Sequence, residues 1–168
     1  MAIEIHRLIV KTLAWPDEAH TRDFARELAQ RVLAAGPGLS ACVALQGDLG
    51  AGKTTLVRHL LQALGVEGRI KSPTYAVVEP YSVHCAGGEA LGVWHFDFYR
   101  FNDPDEWEEA GFRDIFAGPG LKLVEWPDKA GRHLPAPDLT LTLETGASDE
   151  RHVSLRASTP TGAALLAA

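Results

Sequence analysis

One segment of the chain has the composition and spacing of a phosphate-binding loop. Residues 47–54 read Gly-Asp-Leu-Gly-Ala-Gly-Lys-Thr and match the pattern G-x-x-x-x-G-K-[ST]. The glycines let the backbone curl so that N–H groups point at phosphate oxygens, and the N-terminus of a following helix adds partial positive charge. Lys53 would provide a point charge for the β- and γ-phosphates, and the Thr54 hydroxyl would bind Mg²⁺. We therefore predict that ATP and Mg²⁺ bind at Leu49, Gly50, Ala51, Gly52, Lys53 and Thr54.

The context of this loop decides between a functional site and a chance match in a glycine-rich turn. Residues 41–45 form a short apolar run of strand length, as expected for a strand buried on both faces of a parallel sheet. Residues 53–64 have the leucine spacing of an amphipathic helix that ends at Gly65. A strand before the loop and a helix after it favour the functional interpretation.

Hydrolysis of ATP needs carboxylates beyond the loop, and two positions are candidates. Strand alternation over residues 91–99 places Asp97 on the face opposite Phe96 and Phe98, where an acid among aromatic residues indicates function. The alternative is an exposed aspartate or one paired with Arg100. Glu125 ends an apolar run, at the strand end where open α/β sheets bind ligands, and would hold Mg²⁺ there. A helix-capping or surface glutamate is the alternative.

A third candidate is Ser72-Pro73-Thr74-Tyr75. Pro73 stiffens the turn, and the hydroxyls of Ser72 and Thr74 could reach a γ-phosphate or a water bound to Mg²⁺. The same four residues are also compatible with an ordinary turn.

Strands and helices alternate along the rest of the chain. Strands are predicted at residues 3–10, 75–83, 91–99, 121–125, 139–143 and 152–156, and the last two are expected to pair antiparallel. Asp17 is a candidate N-cap for a helix in which Phe24, Leu28 and Val32 recur every four residues. We predict one α/β domain of the P-loop NTPase type over residues 1–157, with a central mixed sheet flanked by helices. The small-residue tail, 158–168, is expected to be frayed or weakly helical.

Composition excludes several classes of protein. The 168 residues carry a net charge of −6 with scattered basic residues, so strong direct binding of nucleic acid is not expected. No apolar run approaches the roughly 20 residues of a membrane span. Two cysteines cannot form a disulfide framework, and the N-terminal residues do not follow a signal-peptide pattern. We therefore expect a cytoplasmic protein that does not bind membranes.

The motifs taken together resemble a known family. GDLGAGKTT, SPTY, HFDFYR and VEWPD, in this order and spacing, are similar to the TsaE (YjeE) family of bacterial ATPases. The resemblance covers about residues 17–128. It implies an ATPase that acts with the proteins TsaB and TsaD to make threonylcarbamoyladenosine next to the anticodon of certain tRNAs.

The resemblance also implies roles for individual residues. Lys53, Thr54 and Thr55 would belong to the nucleotide and Mg²⁺ site, and Thr74 to a switch-like segment. Asp97 matches an important acid of the family, which would complete the metal shell or orient the attacking water. Glu125 and Trp126 match its Glu-Trp pair. Thr21 resembles a family position near the base.

Two other functions are compatible with a phosphate-binding loop. A small-molecule kinase of this size would need a lid with arginines and a basic acceptor pocket. In residues 118–137 the only arginine is Arg132. The loop also follows a strand and a helix instead of opening the chain. The other alternative is a module that binds nucleotide without turning it over.

Overall fold

The computed structural model describes residues 9–70, 73, 77–103, 105–107 and 111–166. Seven strands are found among them: β1 (Ile9–Trp15), β2 (Ser40–Gln46), β3 (Val78–His84), β4 (Ala90–Asp97), β5 (Gly120–Glu125), β6 (Leu139–Thr145) and β7 (Arg151–Ala157). The α-helices are α1 (Glu18–Ala35), α2 (Lys53–Ala63), α3 (Arg113–Ala117) and α4 (Pro160–Leu166), and a kinked 3-10 segment covers Pro127–His133.

The strands form one mixed sheet in the order β1-β7-β6-β2-β5-β4-β3. The four central strands β6, β2, β5 and β4 are parallel to their neighbours within this group. The pairs β1–β7, β6–β7 and β3–β4 are antiparallel. The prediction of an α/β fold with a central mixed sheet and an antiparallel final pair is confirmed.

Two hydrophobic clusters cover the sheet, and strand alternation assigns each to one face. The larger cluster contains the apolar sides of α1 and α2 together with inward residues of β2, β5 and β6. The smaller cluster is aromatic, and Phe96, Phe98 and Trp107 are its largest buried members. On β4, His95 and Asp97 alternate with Phe96 and therefore point to the side on which α2 packs.

The first helix begins as the sequence predicts. The Asp17 side chain accepts a hydrogen bond from the backbone N–H of His20 at 3.1 Å, which caps the N-terminus of α1. Phe24, Leu28 and Val32 are buried in the larger core cluster. The four-residue spacing thus marks the core face of this helix.

The first strand lies further along the chain than expected, and the tail takes the helical one of its two expected forms. The first strand extends to Trp15 because Ile9–Trp15 pairs along its whole length with β7; residues 3–8 of the predicted strand lie outside the described residues. The tail, expected to be frayed or weakly helical, forms α4, and Leu165 and Leu166 are buried against the core. These two leucines give an otherwise small-residue segment an apolar face to pack. No described helix is long and apolar enough to cross a membrane.

Candidate nucleotide-binding site

Three adjacent parallel strands end at the same edge of the sheet and carry the candidate residues. Strand β2 runs into the glycine-rich loop, β5 ends at Glu125, and β4 ends at Asp97. In the sheet register Glu125 pairs with Leu45 on one side and with Asp97 on the other. The parallel topology therefore brings together residues that are far apart in sequence, at the edge where α/β proteins bind ligands.

Two glycines of the loop hold conformations that other residues rarely adopt. Gly47 has φ 149°, and a Cβ there would lie 2.5 Å from the backbone oxygen of Leu143. Gly52 has φ 105° and directly precedes α2, which begins at Lys53. The loop thus passes close to β6 and turns into the helix at positions where side chains would clash or be strained.

Lys53 is 5% exposed and lies against the loop itself. Its ammonium group donates hydrogen bonds to the backbone oxygens of Gly47 and, at 3.0 Å, Asp48. It also lies 4.2 Å from the centroid of the Trp126 ring. Burial lowers the pKa of Lys53, and the carboxylates of Glu125 and Asp97 oppose that effect. The lysine thus provides a partly desolvated positive charge inside the loop.

Trp126 follows Glu125 with a left-handed backbone, at φ 56° and ψ 53°. This conformation is unusual for a residue other than glycine and is typical of functional sites. It turns the chain at the end of β5, and the indole contacts both Lys53 and the ring of Tyr99, whose centroid is 5.1 Å away.

A direct hydrogen bond joins the loop helix to the neighbouring strand end. The Thr54 hydroxyl donates to Oε1 of Glu125 at 2.8 Å, and Glu125 is 1% exposed. A hydroxyl and a carboxylate are oxygen ligands of the kind that Mg²⁺ prefers, and Mg²⁺ at phosphate sites typically takes only one or two carboxylates. No group of three or more His, Cys, Asp or Glu side chains suited to a metal is found among the described residues. A hydroxyl and one carboxylate fit a Mg²⁺ that also takes phosphate and water oxygens.

Asp97 lies beside this pair and is half-buried. Its Oδ1 accepts a hydrogen bond from the backbone N–H of Tyr99 at 3.0 Å. Burial raises the pKa of the Asp97 carboxyl, against the effect of the Tyr99 hydrogen bond; the nearby Glu125 charge raises it further. An acid that is partly desolvated beside another carboxylate is typical of functional sites.

A cavity of about 320 Å³ lies at the centre of this arrangement. Nine of the sequence-predicted residues line it, together with Tyr99 and Arg151: Leu49, Gly50, Gly52, Lys53, Thr54, Thr55, Asp97, Glu125 and Trp126. Ala51 is buried beside it and lines the adjacent cavities instead. Thr74, with Ser72 and Tyr75, lies outside the described residues.

A second cavity, of about 410 Å³, adjoins the first. Gly52, Thr55 and Arg151 line both cavities, so the two form neighbouring compartments along one face of the loop. Trp15 and Thr21 line the second cavity. Thr21, which the family resemblance places near the base, thus lines the second cavity, whereas Asp97 and Glu125 line the first.

Three residues of the site were not among the predicted set: Tyr99, which lines the first cavity, Arg151 and His95. Arg151, at the start of β7, donates hydrogen bonds to the backbone oxygens of Ala51 at 2.9 Å and Gly50 at 3.3 Å. His95 is 1% exposed, and its Nε2 lies 2.5 Å from Oε2 of Glu125. Strand alternation predicts that His95 lies on the same face as Asp97, so the sequence did indicate its place beside the site. Arg151 had no local signal, because strand pairing alone brings β7 to the loop.

The chain is similar to known proteins of one family. The family model described as threonylcarbamoyl adenosine biosynthesis protein TsaE matches residues 15–153. A protein of Haemophilus influenzae named tRNA threonylcarbamoyladenosine biosynthesis protein TsaE is 39% identical over 91% of this chain and 93% of its own length. A protein of the same name from Streptomyces coelicolor is 34% identical over 80% of this chain and 88% of its own.

A solved structure has the same fold. The crystal structure of Bacillus subtilis YdiB superposes with a TM-score of 0.72 and 26% identity, covering 96% of this chain and 94% of that one. The family model spans the loop, Asp97, Glu125 and Arg151, and relatives match over most of their own length. This chain belongs to the TsaE family.

Proposed function

We propose that this protein binds ATP with Mg²⁺ and hydrolyses it slowly, and that hydrolysis drives a partner complex in the threonylcarbamoyladenosine modification of tRNA. The observation that carries the proposal is the 2.8 Å hydrogen bond between Thr54 and Glu125. It joins the first turn of the loop helix to the adjacent strand end, where P-loop NTPases hold their metal. The family membership and the names of the relatives support the link to tRNA modification.

Each part of the site would have a separate task. The N–H groups of the loop and Lys53 would bind the phosphates, so Lys53 would exchange its carbonyl partners for phosphate oxygens. Thr54 and Glu125 would hold Mg²⁺, which when bound supplies charge stabilisation for the phosphoryl group. Asp97 would complete the metal shell or orient the attacking water. Thr74 would act from the switch-like segment.

The nucleoside would occupy the second cavity. This cavity begins where the phosphate compartment ends, at Gly52, Thr55 and Arg151. Trp15 would offer an apolar ring face and Thr21 a hydroxyl, the combination typical of a base pocket. Arg151 donates hydrogen bonds to two backbone carbonyl groups of the loop. These hydrogen bonds would keep the N–H groups of the loop facing the phosphates.

The family resemblance implies the partners, and the acidic net charge of the chain argues against strong direct binding of tRNA. TsaB and TsaD are the proposed partners, in the cytoplasm. With a net charge of −6, the protein is expected to bind tRNA weakly and with strong salt dependence when alone. The modification chemistry would then take place on the partners.

Nucleotide binding by Lys53→Ala tests the proposal. Loss of the buried ammonium should weaken ATP binding by roughly 100-fold, the equivalent of about 3 kcal/mol of charged hydrogen bonding. Lys129→Ala removes an exposed lysine outside the loop and is the matched control. Titration calorimetry with Mg²⁺·ATP measures both variants, and circular dichroism checks that they fold. Equal affinity for wild type and a folded Lys53→Ala would remove the phosphate-binding role of the loop.

A further inference from the structure

His95 is a buried polar residue that the proposed ATP chemistry does not use directly. It lies on β4, two positions before Asp97, and is 1% exposed. Its Nε2 contacts Glu125, while its Nδ1 is buried without a hydrogen-bond partner among the described residues. A buried nitrogen without a partner costs free energy, so packing alone would favour an apolar side chain here. Such an unsatisfied group in a folded protein calls for a specific explanation.

The hydrogen bonds of Glu125 offer that explanation. Its two carboxylate oxygens have different partners: Oε1 accepts from the Thr54 hydroxyl at 2.8 Å, and Oε2 lies 2.5 Å from Nε2 of His95. An ionised carboxylate can only accept, so the proton of this second contact belongs on Nε2. A proton on Nδ1 would be a buried donor without an acceptor, which favours the same tautomer.

Two donors on opposite oxygens fix the orientation of a carboxylate. The terminal torsion of a glutamate is broad, so an isolated carboxylate can rotate with little cost. Lys53, whose charge acts on Glu125, would attract a freely rotating carboxylate. With His95 holding Oε2, the group can turn Oε1 only toward Thr54 and the proposed metal position.

We propose that His95 is a positioning residue, which aims Oε1 of Glu125 at the metal by donating a hydrogen bond from Nε2 to Oε2. The proposal rests on the proposed function, because it assumes that Mg²⁺ and nucleotide bind beside Thr54. Partners that orient metal-binding carboxylates typically change metal affinity or activity by about 10- to 100-fold when they are replaced. His95 would therefore act on metal affinity, with little effect on the nucleotide alone.

Three substitutions separate positioning from packing. In His95→Gln the amide nitrogen reaches about as far as Nε2, in His95→Asn it reaches about as far as Nδ1, and His95→Leu has no donor. We would measure Mn²⁺ affinity in the presence of ADP by electron paramagnetic resonance, and ADP affinity with EDTA by calorimetry. His95→Leu and His95→Asn should bind Mn²⁺ about 10-fold more weakly, while His95→Gln stays close to wild type. ADP affinity with EDTA should be unchanged in all three.

The outcomes distinguish this proposal from the function on which it rests. If wild type binds Mn²⁺·ADP and His95→Leu binds it equally well, the positioning role is wrong and the proposed function stands. If His95→Asn binds Mn²⁺·ADP as tightly as His95→Gln does, the positioning role is likewise wrong and the proposed function stands. If wild type shows no metal-dependent binding, the proposed function fails first.

A measurement on the wild-type protein does not depend on any variant folding. Long-range ¹H–¹⁵N NMR of the histidine rings reports which ring nitrogen carries the proton. The expected result for His95 is a proton on Nε2 and a bare Nδ1. A ring protonated on Nδ1 alone would overturn the proposal, since it could not donate to Glu125.

Discussion

The ammonium group of Lys53 lies 4.2 Å from the centroid of the Trp126 ring and donates its hydrogen bonds to backbone oxygens of the loop. Phosphate oxygens would draw the ammonium group away from both. The indole would then lose a neighbouring positive charge, to which its fluorescence is sensitive. Binding of Mg²⁺·ADP should therefore change the tryptophan emission, and Trp126→Phe should remove most of the change.

The other tryptophans provide controls for this experiment. Trp94 lies near Lys122, whose nitrogen is 5.9 Å from its ring centroid, and does not line either of the two cavities. Trp94→Phe should keep the signal. Trp15 lines the second cavity, in which the base is proposed to bind. Trp15→Phe therefore shows how much of the emission change comes from the base and how much from the phosphates. A full signal in Trp126→Phe would contradict the coupling between Lys53 and Trp126.

Replacement of Glu125 should affect turnover more than nucleotide affinity. Glu125→Gln keeps the size of the side chain but removes the charge that would hold the metal as the transition state develops. Phosphate release should fall by about 100-fold, while ADP affinity without metal stays nearly the same. Glu27→Gln, on the exposed side of α1, controls for the loss of one negative charge. Turnover equal to wild type would move the metal assignment to Asp97.

Asp97→Asn should stabilise the protein in the absence of nucleotide. Burial raises the pKa of the Asp97 carboxyl, so the folded protein holds this proton more tightly than the unfolded chain does. The stability that the protonated carboxyl gives is lost as the pH rises through the folded pKa, and the ionised group is a net cost at neutral pH. Asparagine carries no charge and can still accept the hydrogen bond from Tyr99.

Urea unfolding as a function of pH measures this effect. The asparagine variant should have the higher free energy of unfolding at neutral pH, and its advantage should shrink toward about pH 4, the ordinary range of an aspartate. Its turnover should nevertheless be lower than that of wild type. A variant less stable than wild type at neutral pH would show that the Asp97 charge supports the fold.

The C-terminal helix should contribute to stability although its sequence is rich in small residues. Leu165 is 1% exposed and belongs to the larger core cluster. Leu165→Ala should lower the free energy of unfolding by about 2–5 kcal/mol through lost contacts and a cavity. Val10→Ala, at a position 60% exposed on the edge strand, should cost less than about 1 kcal/mol. Similar, small losses in both variants would mean that α4 packs only loosely.

Much of this site could be predicted from the sequence, because the patterns that indicate it lie within short segments of the chain. The glycine spacing from Gly47 to Gly52 defines the loop, since few other residues allow its backbone. A period of two identifies the face of β4 that carries Asp97, and an apolar run that ends in an acid identifies the end of β5. These patterns depend only on neighbours in the chain.

The remaining features depend on contacts between distant segments. Arg151 meets Gly50 across 101 positions because β7 pairs with β6, whose neighbour β2 leads into the loop. His95 and Glu125 are 30 positions apart and meet because β4 and β5 are adjacent and parallel. No pattern within either segment specifies such a partner. The helical tail likewise depends on the core that receives Leu165 and Leu166.

Steady-state phosphate release tests most directly whether the protein is an ATPase that depends on its partners. The pure protein is measured first, and then with TsaB and TsaD from the same organism. Turnover should be slow alone and faster with the partners, because the proposed cycle couples hydrolysis to docking. By linkage, ATP should also tighten the complex relative to ADP. Fast turnover by the pure protein, unchanged by TsaB and TsaD, would contradict this account and favour a small-molecule kinase.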